Sequence, residues 1–175
     1  MKTKFSFLLV LLLMLVVGIQ PAVAKKPLTT ITFDEVTKIN RDTWVADGIT
    51  FEYAEGSLFT VCTGIEGGTY TEGAVLCGES DGILTVTFDK PTTVVEFGVA
   101  LTEDYPLSDA IIVDLYGPGN SGLRETIYVP TVPAVSYWSE GHLVYQGPAV
   151  DKIVFHIDPD LWFTGWWIDN VVFHD

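Results

Sequence analysis

Basic residues are scarce in this chain. Lysine and arginine number 9 against 23 aspartates and glutamates, which gives a formal net charge of −14 at pH 7. Such a chain repels the phosphate backbone of nucleic acids and anionic membrane surfaces, and no basic cluster offsets the repulsion. We therefore expect no nucleic-acid partner, whereas divalent cations are favoured. The same acidity also keeps secreted proteins soluble, which is an equally good explanation of it.

Catalytic signatures are absent as well. The sequence contains no G-x-S-x-G, no H-E-x-x-H and no phosphate-binding glycine loop. Its three histidines, His142, His156 and His174, stand at no metal-ligand spacing. Among 23 acids some pair always resembles the carboxylates of a glycosidase, so pairing is uninformative. The sequence predicts a protein that is not an enzyme; an enzyme of unrecognised type is the third-ranked alternative.

Only one long apolar run is present, at the N-terminus. Lys2 and Lys4 precede apolar residues 5–17, and the small residues Ala22-Val23-Ala24 follow. This pattern is typical of a secretory signal peptide, and the run is short for a membrane span. An uncleaved N-terminal anchor is the alternative. We interpret residues 1–24 as the signal and 25–175 as one domain, secreted to the extracellular space or periplasm without membrane contact. The signal has two lysines and no acid, so the remaining 151 residues have a net charge of −16.

Cysteine occurs twice, at Cys62 and Cys77, with glycine-rich sequence between. In an oxidising compartment such a pair predicts a disulfide. Closing a loop of about 15 residues contributes roughly 3 kcal/mol in the chain-entropy model. A catalytic cysteine is the alternative, but no histidine partner is evident.

Helical periodicity is scarcely visible, and period-two alternation predominates. Only residues 37–46 could form a helical turn. The predicted strands are ITF at 31–33, GITFEY at 48–53, LFTVC at 58–62, ILTVTF at 83–88, VVEFGVAL at 94–101, AIIVDLYG at 110–117, RETIYV at 124–129, HLVYQ at 142–146, KIVFHI at 152–157 and WWIDNVVF at 166–173. Turns are predicted at 89–91, 116–122, 146–148 and 158–160. About ten strands indicate an all-β sandwich or barrel.

The order of these segments, from ITFDE through LTVTFDKP, VVEFGVAL and IIVDLYGPG to WWIDNVVF, resembles a known family. It is similar to the secreted jelly-roll domains of bacterial exported proteins that often carry a C-terminal sorting tail. More broadly it resembles the galactose-binding-like sandwich of many carbohydrate-binding modules. The resemblance covers nearly all of residues 25–175 and implies a jelly-roll β-sandwich of about eight to ten antiparallel strands. The sorting tail is absent from this sequence.

The resemblance also implies a structural calcium ion where the first and last strands meet. The matching positions are Asp34 or Glu35 near the start and Asp169 near the end. Calcium takes six to eight oxygen ligands, which carboxylates and carbonyls supply. The alternative is that Asp34 and Glu35 begin a turn and that Asp169 binds neighbouring backbone.

Aromatic residues are concentrated near predicted loops. Sugar rings pack their C–H faces on exposed aromatic rings, so such residues beside polar groups suggest a carbohydrate site. Trp138 and Trp162 are the predicted ligand-binding pair, with Tyr137 beside Trp138 and Tyr105 as a weaker candidate. For any single tryptophan, core packing is the more common role.

Alternation along the last strand predicts two faces. One has Trp167, Asp169, Val171 and Phe173, and the other has Trp166, Ile168 and Val172. Some of these rings must therefore lie in the core.

Together these observations predict a secreted, non-catalytic binding module for a glycan or extracellular polysaccharide, with a structural calcium. The alternative is a structural or adhesive protein of an extracellular matrix with no small-ligand site. The sequence does not predict the oligomeric state.

Overall fold

The computed structural model describes residues 26–36, 42–56, 58–119, 121–135, 137–161 and 164–174. The predicted signal peptide lies outside these residues. In the described part of the chain every regular element is a β-strand. No helix that could span a membrane occurs in those residues.

Ten strands confirm the predicted all-β class. They are β1 (Leu28–Ile31), β2 (Thr43–Ala46), β3 (Ile49–Ala54), β4 (Phe59–Thr63), β5 (Ala74–Glu79), β6 (Ile83–Leu101), β7 (Leu107–Tyr116), β8 (Leu123–Pro133), β9 (Ser139–Ile157) and β10 (Gly165–His174). All pairings between them are antiparallel.

Two long strands connect the layers of the sandwich. β6 and β9 each have 19 residues and pair from Leu84↔Phe155 to Leu101↔Ser139. The first half of β6 also pairs with β3, and its second half pairs with β10. The strand order is β4-β5-β10-β6-β9-β7-β8, with β1 on β10 and β2 on β3. The hydrogen-bonded sheet therefore folds over itself, which places its two halves face to face as a jelly-roll sandwich.

Two predicted turns are bulges inside these long strands. Residues 89–91 and 146–148 were expected to separate strands, yet both segments lie within β6 and β9. The pairing register shifts between Thr87 and Thr92, and again between Thr92 and Val94. Proline cannot donate to the ladder and is tolerated at bulges, so the turn-like composition marks a bend in a continuous strand.

The prediction of a helical turn within residues 37–46 is wrong for residues 43–46. Thr43–Ala46 is strand β2, paired with β3. Asp47 and Gly48 connect the two strands with φ values of 45° and 83°. An Asp-Gly pair in this conformation matches the twist of a two-residue hairpin, and this overrides the weak helical pattern. Residues 37–41 lie outside the described residues.

The core contains contacts between the two layers. Phe155 packs edge-on against Phe97 at 6.4 Å and against Trp166 at 5.1 Å between ring centroids. Trp166 is fully buried, and its indole N–H donates to Glu79 O at 3.0 Å. Tyr53, on β3, packs on Trp166 and donates to the same carbonyl at 2.7 Å. Burial is the main cause that raises the pKa of Tyr53 to about 12. These contacts fix the ends of β3, β5 and β10 relative to one another.

Cys62 and Cys77 form the expected disulfide, with their Cα atoms 6.0 Å apart. They lie on the hairpin strands β4 and β5, where Cys62 pairs with Val75 and Cys77 with Thr60. The bond closes the segment between these two strands.

We expect the double change Cys62→Ser and Cys77→Ser to lower the free energy of unfolding by about 3 kcal/mol, because the open segment gains chain entropy when unfolded. Urea unfolding of the double variant, with reduced wild-type protein as the matched control, measures this. Equal unfolding free energies for the variant and the oxidised wild type would contradict it.

Candidate ligand-binding face

A bulge in β10 decides which tryptophan faces outward. The pairing register with β6 shifts between Asp169 and Val172, and Asn170 has a φ of 53°. As a result Trp166 and Ile168 are buried before the bulge, and Val171 and Phe173 are buried after it. The prediction that Trp167 shares a face with Val171 and Phe173 is therefore wrong, because one extra residue reverses the alternation.

Trp167 belongs to a face turned away from the core, formed by β5, β10, β6 and β9. Paired residues of antiparallel strands point to the same side, so the registers define the face in rows about 7 Å apart. The rows are Cys77–Trp167–Ala100–Glu140, then Asp169–Gly98–His142, then Val172–Glu96–Val144. We call this surface the outer face.

The segment between β4 and β5, residues 64–73, folds over part of the outer face, and we call it the covering loop. Glu140, only 2% exposed, holds it in place. Its carboxylate accepts hydrogen bonds from the backbone N–H of Thr69, Tyr70 and Thr71 at 2.7, 3.2 and 2.9 Å. It also accepts the Thr71 hydroxyl at 2.6 Å. A buried carboxylate is costly unless its oxygens are bonded, and four donors meet that requirement here.

Gly98 allows the covering loop to lie directly on the sheet. A methyl group at this position would overlap the backbone oxygen of Tyr70. Any larger residue would therefore displace the loop.

Tyr70, at the tip of the covering loop, stacks on His142 with ring centroids 4.8 Å apart and planes 13° apart. His142 Nε2 lies 3.0 Å from Glu96 Oε1. Both side chains of this pair are about one-third exposed. The arrangement offers an aromatic ring beside a carboxylate and an imidazole, which can exchange hydrogen bonds with hydroxyl groups.

The predicted ligand residue Trp138 lies at the end of the same face. It stacks on Trp167 with ring centroids 3.5 Å apart and planes 26° apart, and both indoles remain partly exposed. The backbone N–H of Trp138 donates to Val135 O at 2.8 Å, which closes the turn before β9. Tyr137, in this turn, has a left-handed φ of 69° and is 77% exposed.

Tyr105 lies in the loop that leaves β6 at the same end of the sheet, where Leu101 pairs with Ser139 and Trp166. Its ring is 45% exposed, and the neighbouring Glu103 carboxylate is the main cause of a raised pKa of its phenol. Glu103 also accepts the Thr164 hydroxyl at 3.0 Å. The predicted residue Trp162 lies outside the described residues.

The predicted calcium ligands lie at the edge of the covering loop. β1 pairs with β10 up to Ile31↔Val171, which brings Asp34 near Asp169. Asp34 Oδ1 accepts the Ala74 N–H at 3.1 Å. Asp169 accepts the backbone and side-chain N–H groups of Asn170 at 2.7 and 2.9 Å. Glu35 is exposed, and among the described residues no contact joins it to either aspartate.

Burial is the first cause that raises the pKa of Asp169 to about 6, and the nearby Asp34 charge raises it further. A bound cation would offset both effects. In the described part of the chain no group of three or more acidic, histidine or cysteine side chains could hold a metal. A calcium ion here would therefore need backbone carbonyls beside the two aspartates.

The fold of this chain is shared with a protein of known structure. No protein-family model matches the chain, and no curated protein matches it. Among solved structures it is similar to the K2 cleaved adhesin domain of Lys-gingipain, with a TM-score of 0.53, 17% identity, and coverage of 85% of this chain and 100% of that domain. It also aligns with a variant of the carbohydrate-binding module CBM29-2 complexed with mannohexaose, at a TM-score of 0.46 and 12% identity over 86% of this chain and 92% of the module. At these identities the first likeness shows a shared β-sandwich fold.

Proposed function

We propose that the protein is a secreted, non-catalytic module that binds a neutral glycan on the outer face. The observation that supports this most strongly is the stacked, partly exposed pair Trp138–Trp167 in line with Tyr70, His142 and Glu96. Sugar rings pack their apolar faces on such indoles, while nearby carboxylate and imidazole groups bond their hydroxyls.

The charge of the outer face supports a neutral ligand. Glu96 is partly exposed on it, and Asp169 and Glu140 lie beneath the covering loop. No lysine or arginine belongs to the rows of this face. An acidic sugar would therefore meet repulsion without a compensating cation.

The disulfide and the N-terminal signal pattern support an extracellular location, because disulfides persist in oxidising compartments. The covering loop that forms part of the proposed site lies between the two bonded cysteines.

Affinity electrophoresis of residues 25–175 against a panel of neutral polysaccharides tests this function. We expect retardation by at least one neutral glycan, displaced by its oligosaccharides. Retardation by none of the neutral glycans, with self-association on raising the protein concentration, would instead favour the adhesive matrix role.

We also propose a structural calcium between Asp34 and Asp169, supported by the pairing of the first and last strands and by the closeness of the two carboxylates. When bound, the ion would neutralise these charges, with backbone carbonyls completing its ligands.

The pH dependence of stability tests the buried Asp169 carboxylate on which this proposal rests. Because the folded pKa of Asp169, about 6, exceeds the ordinary value of 3.8 for an aspartate, the folded state binds more protons between these values. In chelator, stability should therefore fall as pH rises from about 4 to 6, by up to about 3 kcal/mol from this group. Asp169→Asn should remove that fall, and exposed Asp104→Asn, the control, should keep it.

At pH 7, added calcium should raise the melting temperature of the wild type by several degrees but not that of Asp169→Asn. Identical melting of the wild type in calcium and in chelator would overturn the calcium site while leaving the glycan proposal intact.

A further inference from the structure

A second depression lies on the opposite side of the sandwich from the outer face. It has a volume of about 380 Å³ and is lined by Thr87, Tyr116, Gly117, Gly122, Asp151 and Lys152. We call it the β7–β8 cavity. Thr87, Lys152 and Tyr116 are successive partners across β6, β9 and β7. Their neighbours Val86, Ile153 and Leu115 point into the core, so this row faces outward on the other half of the sheet.

The cavity contains a cation, Lys152, that has no ion-pair partner among the described residues. Lys152 Nζ lies over the Tyr116 ring, 4.2 Å from its centroid. Among the described residues no carboxylate oxygen lies within 4.0 Å of Lys152 Nζ, the limit for an ion pair. The ion pairs in this part of the chain involve His142 and His156. The ring orients the ammonium group through a cation–π contact and leaves its charge uncompensated.

A second cation, Arg124, lies beside the lining residue Gly117. Arg124 is the extra residue of a bulge in β8, because Leu115 pairs with Glu125 and Tyr116 with Leu123. Its guanidinium rests against Gly117: a methyl group on that glycine would lie 2.8 Å from Arg124 Nη2. Arg124 also has no ion-pair partner in the part of the chain that the structure describes.

The one carboxylate of the lining is already bonded. Asp151 Oδ2 accepts the Gly119 N–H at 3.0 Å. The lining and the adjoining Arg124 thus contribute two cations and one engaged carboxylate, in a chain whose net charge is −14. The next carboxylate on this face, Asp114, lies one row away with its Oδ2 3.8 Å from His156 Nε2. Because charges are screened beyond about 8 Å at physiological ionic strength, a small ligand senses this local charge more than the whole surface.

We propose that the β7–β8 cavity binds an acidic sugar residue, one bearing a carboxylate or a sulfate group. Lys152 and Arg124 hold the anionic group, while the Thr87 hydroxyl and the free oxygen of Asp151 bond ring hydroxyls. The volume falls within the range of ligand cavities, about 300–1,000 Å³. A densely charged polymer would also meet the acidic remainder of the surface, so the fitting ligand is a glycan with an isolated acidic residue. This site rests on observations independent of the outer face.

Amide chemical shifts of the lining residues during titration with glucuronic acid, galactose 6-sulfate and glucose test the proposal. We expect saturable shifts at Thr87, Gly117 and Lys152 with at least one of the two acids, weakened by added salt, and none with glucose. The two acids distinguish a carboxylate ligand from a sulfate ligand.

Lys152→Met keeps the length of the side chain without its charge and should weaken this binding at least tenfold, as should Arg124→Ala. The exposed lysine change Lys26→Ala is the matched control and should leave it unchanged. Trp167→Ala should also leave it unchanged, so failure of this site and failure of the outer face are distinguishable. Equal shifts with glucose and the acids, no shifts with either acid, or unaltered binding by Lys152→Met would overturn the proposal.

Discussion

Replacing Trp167 with alanine is expected to weaken neutral-glycan binding by tenfold or more, about 1.4 kcal/mol, without unfolding the domain. The indole lies outside the core, on the face opposite Trp166, so its loss removes a stacking surface and leaves core packing in place. Trp138→Ala should have a similar effect, because Trp138 forms the other half of the stacked pair. Isothermal titration calorimetry with an oligosaccharide of the retained polysaccharide gives the affinities.

Tyr128→Ala is the matched control for these variants. Its ring is 55% exposed on β8 and lies outside the rows of the outer face, so its loss should leave the affinity unchanged. Wild-type affinity in both tryptophan variants would remove the outer face as the binding site. An equal loss in Tyr128→Ala would place the site elsewhere on the sandwich.

The second large effect is expected at Glu140. Alanine there leaves the N–H groups of Thr69, Tyr70 and Thr71 without their acceptor. Each unsatisfied buried donor costs about 1–3 kcal/mol, so the free energy of unfolding should fall by about 3 kcal/mol, or the covering loop should open locally. Urea unfolding measures the first outcome, and amide hydrogen exchange at residues 69–71 measures the second.

Glu140→Gln keeps one carbonyl oxygen and should lose less stability than Glu140→Ala. Glu125→Ala, at an exposed position of β8, is the control and should change neither measurement. Unaltered unfolding together with unaltered exchange at residues 69–71 in Glu140→Ala would show that the carboxylate does not hold the loop.

Much of the fold was predictable because the alternation of apolar and polar residues along a strand is a local signal. Nine of the predicted segments overlap strands β3, β4, β6, β7, β8, β9 and β10, and ITF at 31–33 meets β1 at its last residue. The bends at 89–91 and 146–148 were not predictable, since a bulge and a turn have the same composition. β5 was missed because Val75, Leu76, Cys77 and Gly78 are all buried, and alternation disappears in a strand covered on both faces.

The candidate site was less predictable, because it depends on long-range contacts. Trp138 was singled out by its position at a turn. Tyr70 and Glu140 are joined across 70 residues of sequence, and nothing local in either segment indicates the other. A tyrosine within the glycine-rich loop between the two cysteines was the only available signal.

The acids near the chain ends illustrate the same limit. Asp34 accepts the N–H of Ala74, and the Glu72 backbone bonds Asp169, while Glu140 bonds residues 69–71. Three acids that are distant in sequence thus bond successive backbone positions between residues 69 and 74. The backbone-binding role expected as the alternative for Asp169 is what its contacts show, and the calcium ion remains a proposal.

The most direct test of the outer face is the response of the tryptophan indole N–H signals to a bound oligosaccharide, followed by nitrogen-15 NMR. The account predicts saturable shifts for Trp138 and Trp167 and little change for Trp166, whose N–H is buried on Glu79 O. Saturable glycan binding with unmoved Trp138 and Trp167 signals would contradict it.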